Sequence, residues 1–252
     1  MDFDSKVVLV TGGAGIIGLE AARAFLARGA RVMLVDANAE RLEAAVAALA
    51  SDRVASCVAD VTRADDVRVY AERTQAAFGP IDVFFNNAGI EGPVANLLDY
   101  DDDAFDRVMA VNVRGVFLGC KYVAPHMADG GSIIITSSVA GMRGSPEAVG
   151  YTTSKWAVIG VMKSAALDLA ARRIRCNTVH PGMVDSDMLR RLEVAYDKSS
   201  ADGSLRKALV ERTPFKRYIQ PAEVVNVVLF LASDLSVGIT GSQYVVDAGF
   251  MT

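Results

Sequence analysis

Short, almost continuously apolar runs alternate along the chain with stretches whose apolar residues recur at i, i+3 and i+4. The runs are Lys6–Val10, Arg31–Val35, Arg53–Val58, Ile81–Phe85, Ser132–Thr136, Ile174–Val179 and Ser242–Val246. A strand apolar on both faces is one covered on both faces. Between the runs, Leu19–Leu26, Arg41–Leu49, Val67–Phe78, Phe105–Val123, Trp156–Ala170 and Val224–Leu231 predict amphipathic helices. This alternation leaves few folds open. It predicts an α/β fold, doubly wound, with about seven parallel strands, right-handed crossovers and helices on both faces.

Composition narrows the function. The 252 residues are 52% hydrophobic and 22% charged, enough to bury a core and too apolar for disorder. No linker or repeat divides them, so residues 1–252 read as one domain. A net charge of −4 argues against a nucleic-acid or anionic-membrane partner. No apolar run approaches the ~18 residues that cross a bilayer. The acidic start Met1-Asp2-Phe3-Asp4 carries no secretory pattern, and Cys57, Cys120 and Cys176 are scattered. A cytoplasmic protein with no disulfide framework and no metal site is expected. One segment breaks the rhythm: Asp185–Arg217, after the sixth run, is far longer than the ~2–6 residues usual for such connections. It predicts a substrate lid.

The first run leads into Thr11-Gly12-Gly13-Ala14-Gly15-Ile16-Ile17-Gly18 and a helix. Gly13 to Gly18 satisfies G-x-G-x-x-G in the strand–turn–helix setting of a Rossmann-type dinucleotide site. Glycine lets the backbone approach a pyrophosphate, and the helix N-terminus offers free N–H groups. Asp36 closes the second run at the offset of an acid that accepts from a ribose 2′-hydroxyl. A carboxylate there repels a 2′-phosphate, and Ala37 beside it supplies no cation, so NAD is the expected cofactor.

Further along stand Asp60-Val61, Asn86-Asn87-Ala88-Gly89, Asn112, Ser138, Tyr151-Thr152-Thr153-Ser154-Lys155 and Pro181-Gly182. A lone Y-x-x-x-K is common by chance; its weight lies in this order. Over essentially its whole length the chain resembles a short-chain dehydrogenase/reductase of the short, single-domain subtype, and among these the NAD-dependent enzymes of cyclic secondary alcohols. The resemblance implies that Gly12, Gly15, Ile17, Gly18, Asp36, Asp60, Val61, Asn87, Ala88, Gly89, Tyr151, Lys155, Pro181, Gly182, Val184 and Ser186 bind the cofactor. It also implies that Asn112, Ser138, Tyr151 and Lys155 are catalytic. Free tyrosine ionises near pH ~10, and a lysine one turn away would favour its phenolate. Tyr151 is then the general acid/base, Lys155 a ribose ligand, Ser138 a substrate contact and Asn112 part of a proton path to solvent.

One position departs from the pattern. The subtype usually has T-G-x-x-x-G-x-G, with glycine where this chain has Ile16. The spacing Gly12, Gly15, Gly18 is that of a longer branch that modifies sugar nucleotides. That branch's extra C-terminal region has no room in 252 residues.

The expected activity is NAD-dependent hydride transfer between the nicotinamide and a small, largely apolar secondary alcohol or ketone, cyclic ones included. Met142, Val149, Met183 and Met188 are candidate pocket walls. Two alternatives stand beside it: a 3-oxoacyl-carrier-protein reductase, with Arg172-Arg173 as a weak docking patch, and a non-catalytic dinucleotide sensor. His126 and His180 show no metal or triad spacing. Family resemblance implies a homotetramer.

Overall fold

The computed structural model describes residues 1–196 and 204–252, so the part of the expected lid at 197–203 lies outside the described residues. Seven parallel strands form one sheet. They are β1 (Val7–Thr11), β2 (Arg31–Asp36), β3 (Val54–Val58), β4 (Ile81–Asn86), β5 (Met127–Thr136), β6 (Arg175–Pro181) and β7 (Gln243–Val246). Their spatial order is β3-β2-β1-β4-β5-β6-β7.

The apolar runs of the five inner strands have the reason the sequence suggests, whereas the edge strands β3 and β7 are mostly half-buried or exposed. Along β1, Val8 and Val10 enter one core while Val7 and Leu9 enter the other. Ile134 of β5 likewise faces the first core, and Ile133 and Ile135 face the second. The first core is closed by α1 (Ile16–Leu26), α2 (Ala39–Leu49) and α9 (Pro221–Ala232). The second is closed by α3 (Ala64–Phe78), α5 (Gly115–Val123) and α6 (Val149–Asp168).

Boundaries differ where local chemistry overrides periodicity. The expected helix Phe105–Val123 is α4 (Asp102–Met109), a π turn at Ala110–Arg114 and α5. The π turn holds Asn112, a placement common at functional positions. Helix α6 begins at Val149, ahead of the Trp156 that periodicity marks, and so carries Tyr151 and Lys155 on one helix. Strand β5 starts early, at Met127, because an irregularity opposite Ile81–Val83 absorbs extra residues. The segment after β6 contains α7 (Asp187–Tyr196) and α8 (Ser204–Arg212).

Winding reverses between β1 and β4, so a crevice opens at their carboxyl ends. Every motif singled out from the sequence lies at that end of the sheet or on the helix that follows.

Candidate active site

The glycine loop is shaped by close approach. Gly12 has φ +64° and packs on the next loop, where an added Cβ would sit 3.0 Å from Ala88 Cα. At Gly18 an added Cβ would lie 2.2 Å from the Gly12 carbonyl oxygen. Gly15 is the N-cap of α1 and no side chain caps that end. The first-turn N–H groups of α1 are therefore presented to the crevice, as an anion site requires. Ile17 turns its side chain onto the first core, leaving its main-chain N–H for a ligand. Ile16 is 44% exposed at the same turn. A cradle that any Cβ would fill, ending in an uncapped helix, fits a dinucleotide pyrophosphate.

Asp36 ends β2 beside the glycine loop. Its Oδ2 accepts from Ala14 N at 3.1 Å and its Oδ1 from Asn38 N at 3.1 Å, leaving lone pairs for a ribose hydroxyl. A cation that the sequence reading missed is also present. Arg41, on the first turn of α2, donates Nη2 to Ala14 O at 3.3 Å. Helix α2 starts at Ala39 behind the Asn38 cap, which brings Arg41 back over the loop.

The loop after β4 ties the crevice together. Asn87 donates to Thr11 O at 3.2 Å and accepts from Thr136 Oγ1 at 2.9 Å, bridging β1 and β5. Ala88 N donates to Thr11 Oγ1 at 3.2 Å. An added Cβ at Gly89 would stand 3.2 Å from Asn112 Oδ1 and 3.3 Å from Lys155 Nζ, so its absence lets both converge. Asp60 Oδ1 accepts from Thr62 N at 2.9 Å, and Val61 packs on Gly115 at the start of α5.

Asn112 is fully buried and its amide is engaged. Nδ2 donates to Ile90 O and to Ser154 Oγ, each at 2.9 Å, and Oδ1 accepts from Ile90 N at 2.8 Å. The side chain is thus a brace between the β4 loop and α6. Tyr151 and Lys155 lie one turn apart on α6, with the Lys155 ammonium 5.5 Å from the Tyr151 ring centroid. Lys155 is 4% exposed and donates to Thr136 O at 2.9 Å. Burial lowers its pKa to about 8. Burial also raises the Tyr151 phenol, against the Ser138 hydroxyl that faces it, while Glu91 adds to the rise. The direction of the Tyr151 shift is set by desolvation and not by the lysine charge expected to lower it.

Ser138 follows β5, and its Oγ accepts from Ala140 N at 3.1 Å, which leaves the hydroxyl proton to give. The sequence reading missed two supports. Ser137 Oγ donates to Lys155 O at 2.8 Å. His180 is wholly buried, with Nδ1 3.0 Å from Ser138 O and Nε2 2.8 Å from Thr178 Oγ1. A carbonyl can only accept, so Nδ1 carries a hydrogen, and burial lowers the ring's pKa. A histidine before Pro181 carries no motif to flag it. Gly182 packs against Asp247, Val184 is buried beside Ile219, and Ser186 Oγ accepts from Leu189 N at 3.2 Å, starting α7. His126 lies elsewhere, against Gln75. Among the described residues no group of His, Cys, Asp or Glu is placed to hold a metal.

A doubly wound parallel sheet with a glycine cradle at its switch point and a Ser–Tyr–Lys set across the crevice is the framework of a dinucleotide-dependent oxidoreductase. Comparison with known proteins specifies it. A family model described as enoyl-(acyl carrier protein) reductase matches residues 12–251. The 2-(R)-hydroxypropyl-CoM dehydrogenase of Xanthobacter autotrophicus is 40% identical, over 98% of both chains. The crystal structure of levodione reductase superposes with TM-score 0.94 at 36% identity, covering 98% of each chain. That of NAD+-bound xylitol dehydrogenase gives 0.93 at 35%, covering 99% of this chain and all of the other. The chain belongs to the short-chain dehydrogenase/reductase family and is an oxidoreductase of that type.

Proposed function

We propose that this protein oxidises small secondary alcohols, or reduces the matching ketones, with NAD as its cofactor and Tyr151 as general acid/base. The observation that carries the reading is the convergence of Ser138, Tyr151 and Lys155 at the crevice mouth beside the glycine cradle. NAD, when bound, supplies the hydride acceptor. The chain supplies the rest. Ser138 Oγ, oriented by Ala140 N–H, donates its hydrogen to the substrate oxygen. Tyr151 takes the hydroxyl proton in oxidation and returns it in reduction, a term worth about 10²–10⁴-fold. Lys155, held by Thr136 O, faces both the phenol and the space beside Gly89. Its hydrogens are suited to a ribose diol, and its charge favours the phenolate once a cationic ring joins it. Asn112, its amide committed, fixes the β4 loop against α6. Any proton path through this position uses its main chain. Asp36 sets the preference for NAD over NADP.

The substrate is taken as apolar because Met142, Val149, Met183 and Met188 border this end of the sheet, and the segment 185–217 is taken to cover it. Cyclohexanol dehydrogenase of an Acinetobacter species, 34% identical over 98% of this chain, carries a cyclic alcohol in its name, which favours a cyclic substrate here. Of the Arg172-Arg173 patch that the carrier-protein alternative would use, Arg172 pairs with Asp129 at 2.8 Å and donates to Ala124 O and Met127 O. No helix of the described residues is long and apolar enough to cross a membrane. A panel of secondary alcohols assayed separately with NAD and NADP tests the proposal. Reduced cofactor should form with NAD, and Tyr151→Phe should lose at least about a hundredfold in kcat/KM. Near-normal turnover by that variant would refute the assignment.

A further inference from the structure

Helix α7 is tied across the crevice at two points. Near its middle, Arg191 donates through Nε to Glu91 Oε1 at 2.8 Å, with Nη2 2.7 Å from the same oxygen. At its end, Tyr196 donates its hydroxyl to Pro146 O at 2.9 Å, in the loop that leads to α6. The first tie reaches the loop after β4, two residues beyond Gly89. Glu91 cannot drift there, because Asn112 clamps the preceding Ile90 by both N and O. The Glu91 side chain is 19% exposed and that of Arg191 60%. The carboxylate is thus the sheltered partner, while its counter-ion sits on the surface helix α7. A pair this open on one side is weak and salt-sensitive.

We propose that Glu91 and Arg191 are positioning residues for the proton step: while the pair holds, α7 is closed and Arg191 offsets the negative charge that Glu91 otherwise turns on Tyr151. The inference rests on Tyr151 as the proton-transfer group.

The charges around Tyr151 make the sign definite. Lys155 faces it from its own helix. His180 of β6 is neutral and bonded to Ser138. Glu147, at the entrance to α6, acts on Tyr196. Glu91 is the anion acting on Tyr151, and it raises the phenol's pKa alongside burial. Lifting α7 removes Arg191 and leaves Glu91 bare. The phenol then keeps its proton in the open site and surrenders it more readily in the closed one. Proton abstraction is thereby confined to the state in which α7 excludes water.

The ionisation of Tyr151 is read without turnover, as the near-ultraviolet titration of the full chain minus that of its Tyr151→Phe variant. Arg191→Met should move it to higher pH by roughly half a pH unit, and Glu91→Gln should move it to lower pH. Arg191→Met should have no effect when Glu91→Gln is already present, and Arg191→Lys should restore most of the shift. The pH at which kcat/KM for alcohol oxidation rises should follow the same order. The proposal is overturned if the single variants leave Tyr151 unmoved, or if Arg191→Met acts equally with and without Glu91. An active Tyr151→Phe would instead sink the general-base assignment, so the two failures are distinguishable.

Discussion

Lys155 holds an amino group where water scarcely reaches, 4% exposed, donating to the Thr136 carbonyl. Burial lowers its pKa from 10.5 to about 8, so the folded protein binds its proton less firmly than the unfolded chain does. Folding stability therefore rises with pH from about 8 toward 10.5 and is depressed below that window. Lys155→Met should raise Tm at neutral pH while abolishing turnover, the usual opposition between stability and a strained site. A melting series from pH 7 to 10 checks it: the wild type should gain on the variant as pH rises, and a lower Tm for the variant at pH 7 would contradict the argument. Asp36 poses a matching question in specificity. Asp36→Ala should narrow the preference for NAD, and Arg41, already donating to Ala14 O, should then favour a 2′-phosphate. Adding Arg41→Ala should cancel that gain in NADP efficiency. A double variant as good with NADP as the single one would remove Arg41 from the account.

At the scale of elements, the site depends on where helices begin. Helix α1 starts against the Gly12 carbonyl with only hydrogen at Gly18 between them, and α6 starts early enough to hold both Tyr151 and Lys155. Gly18→Ala cannot be absorbed by a side-chain rotation, because the obstructing atom, 2.2 Å away, belongs to the backbone. The helix must slide from β1, at about 1–3 kcal/mol of stability. Calorimetric titration should show NAD affinity falling with it. Ile16→Gly, which alters a partly exposed side chain at the same turn, should leave NAD binding largely intact. The reverse ranking would show that the pyrophosphate is held by a glycine at position 16 rather than by this spacing.

At the scale of the whole molecule, α5 and α6 carry apolar side chains that their own subunit does not cover, Phe117 at 47% and Trp156 at 51% exposure among them. Apolar side chains exposed on neighbouring helices suit an interface. The expectation is a homotetramer in which these helices pair, and light scattering at micromolar concentration should return about four times the 26.7 kDa of one chain. A charged replacement of Trp156 should shift that mass downward, and a monomer mass for the unaltered protein would end the idea.

Strand order of residue types determined the architecture of this protein, because a strand buried on both faces must be apolar throughout and a covering helix on one stripe only; both periods are visible in a single chain. The glycine loop, Asp36 and the Tyr151–Lys155 spacing were visible for a similar reason, since a backbone turn and one helical turn fix them locally. The tertiary structure decided the rest. The commitment of the Asn112 amide to Ile90 and Ser154, the seat of His180 under Ser138, the reach of Arg41 to Ala14 and the pairing of Glu91 with Arg191 join residues from 22 to 100 positions apart or turn on what surrounds them. The balance of charge at Tyr151 is the clearest case. Spacing predicts that Lys155 lowers its pKa, yet burial raises it, because desolvation depends on everything packed around the phenol and no short stretch of sequence contains that.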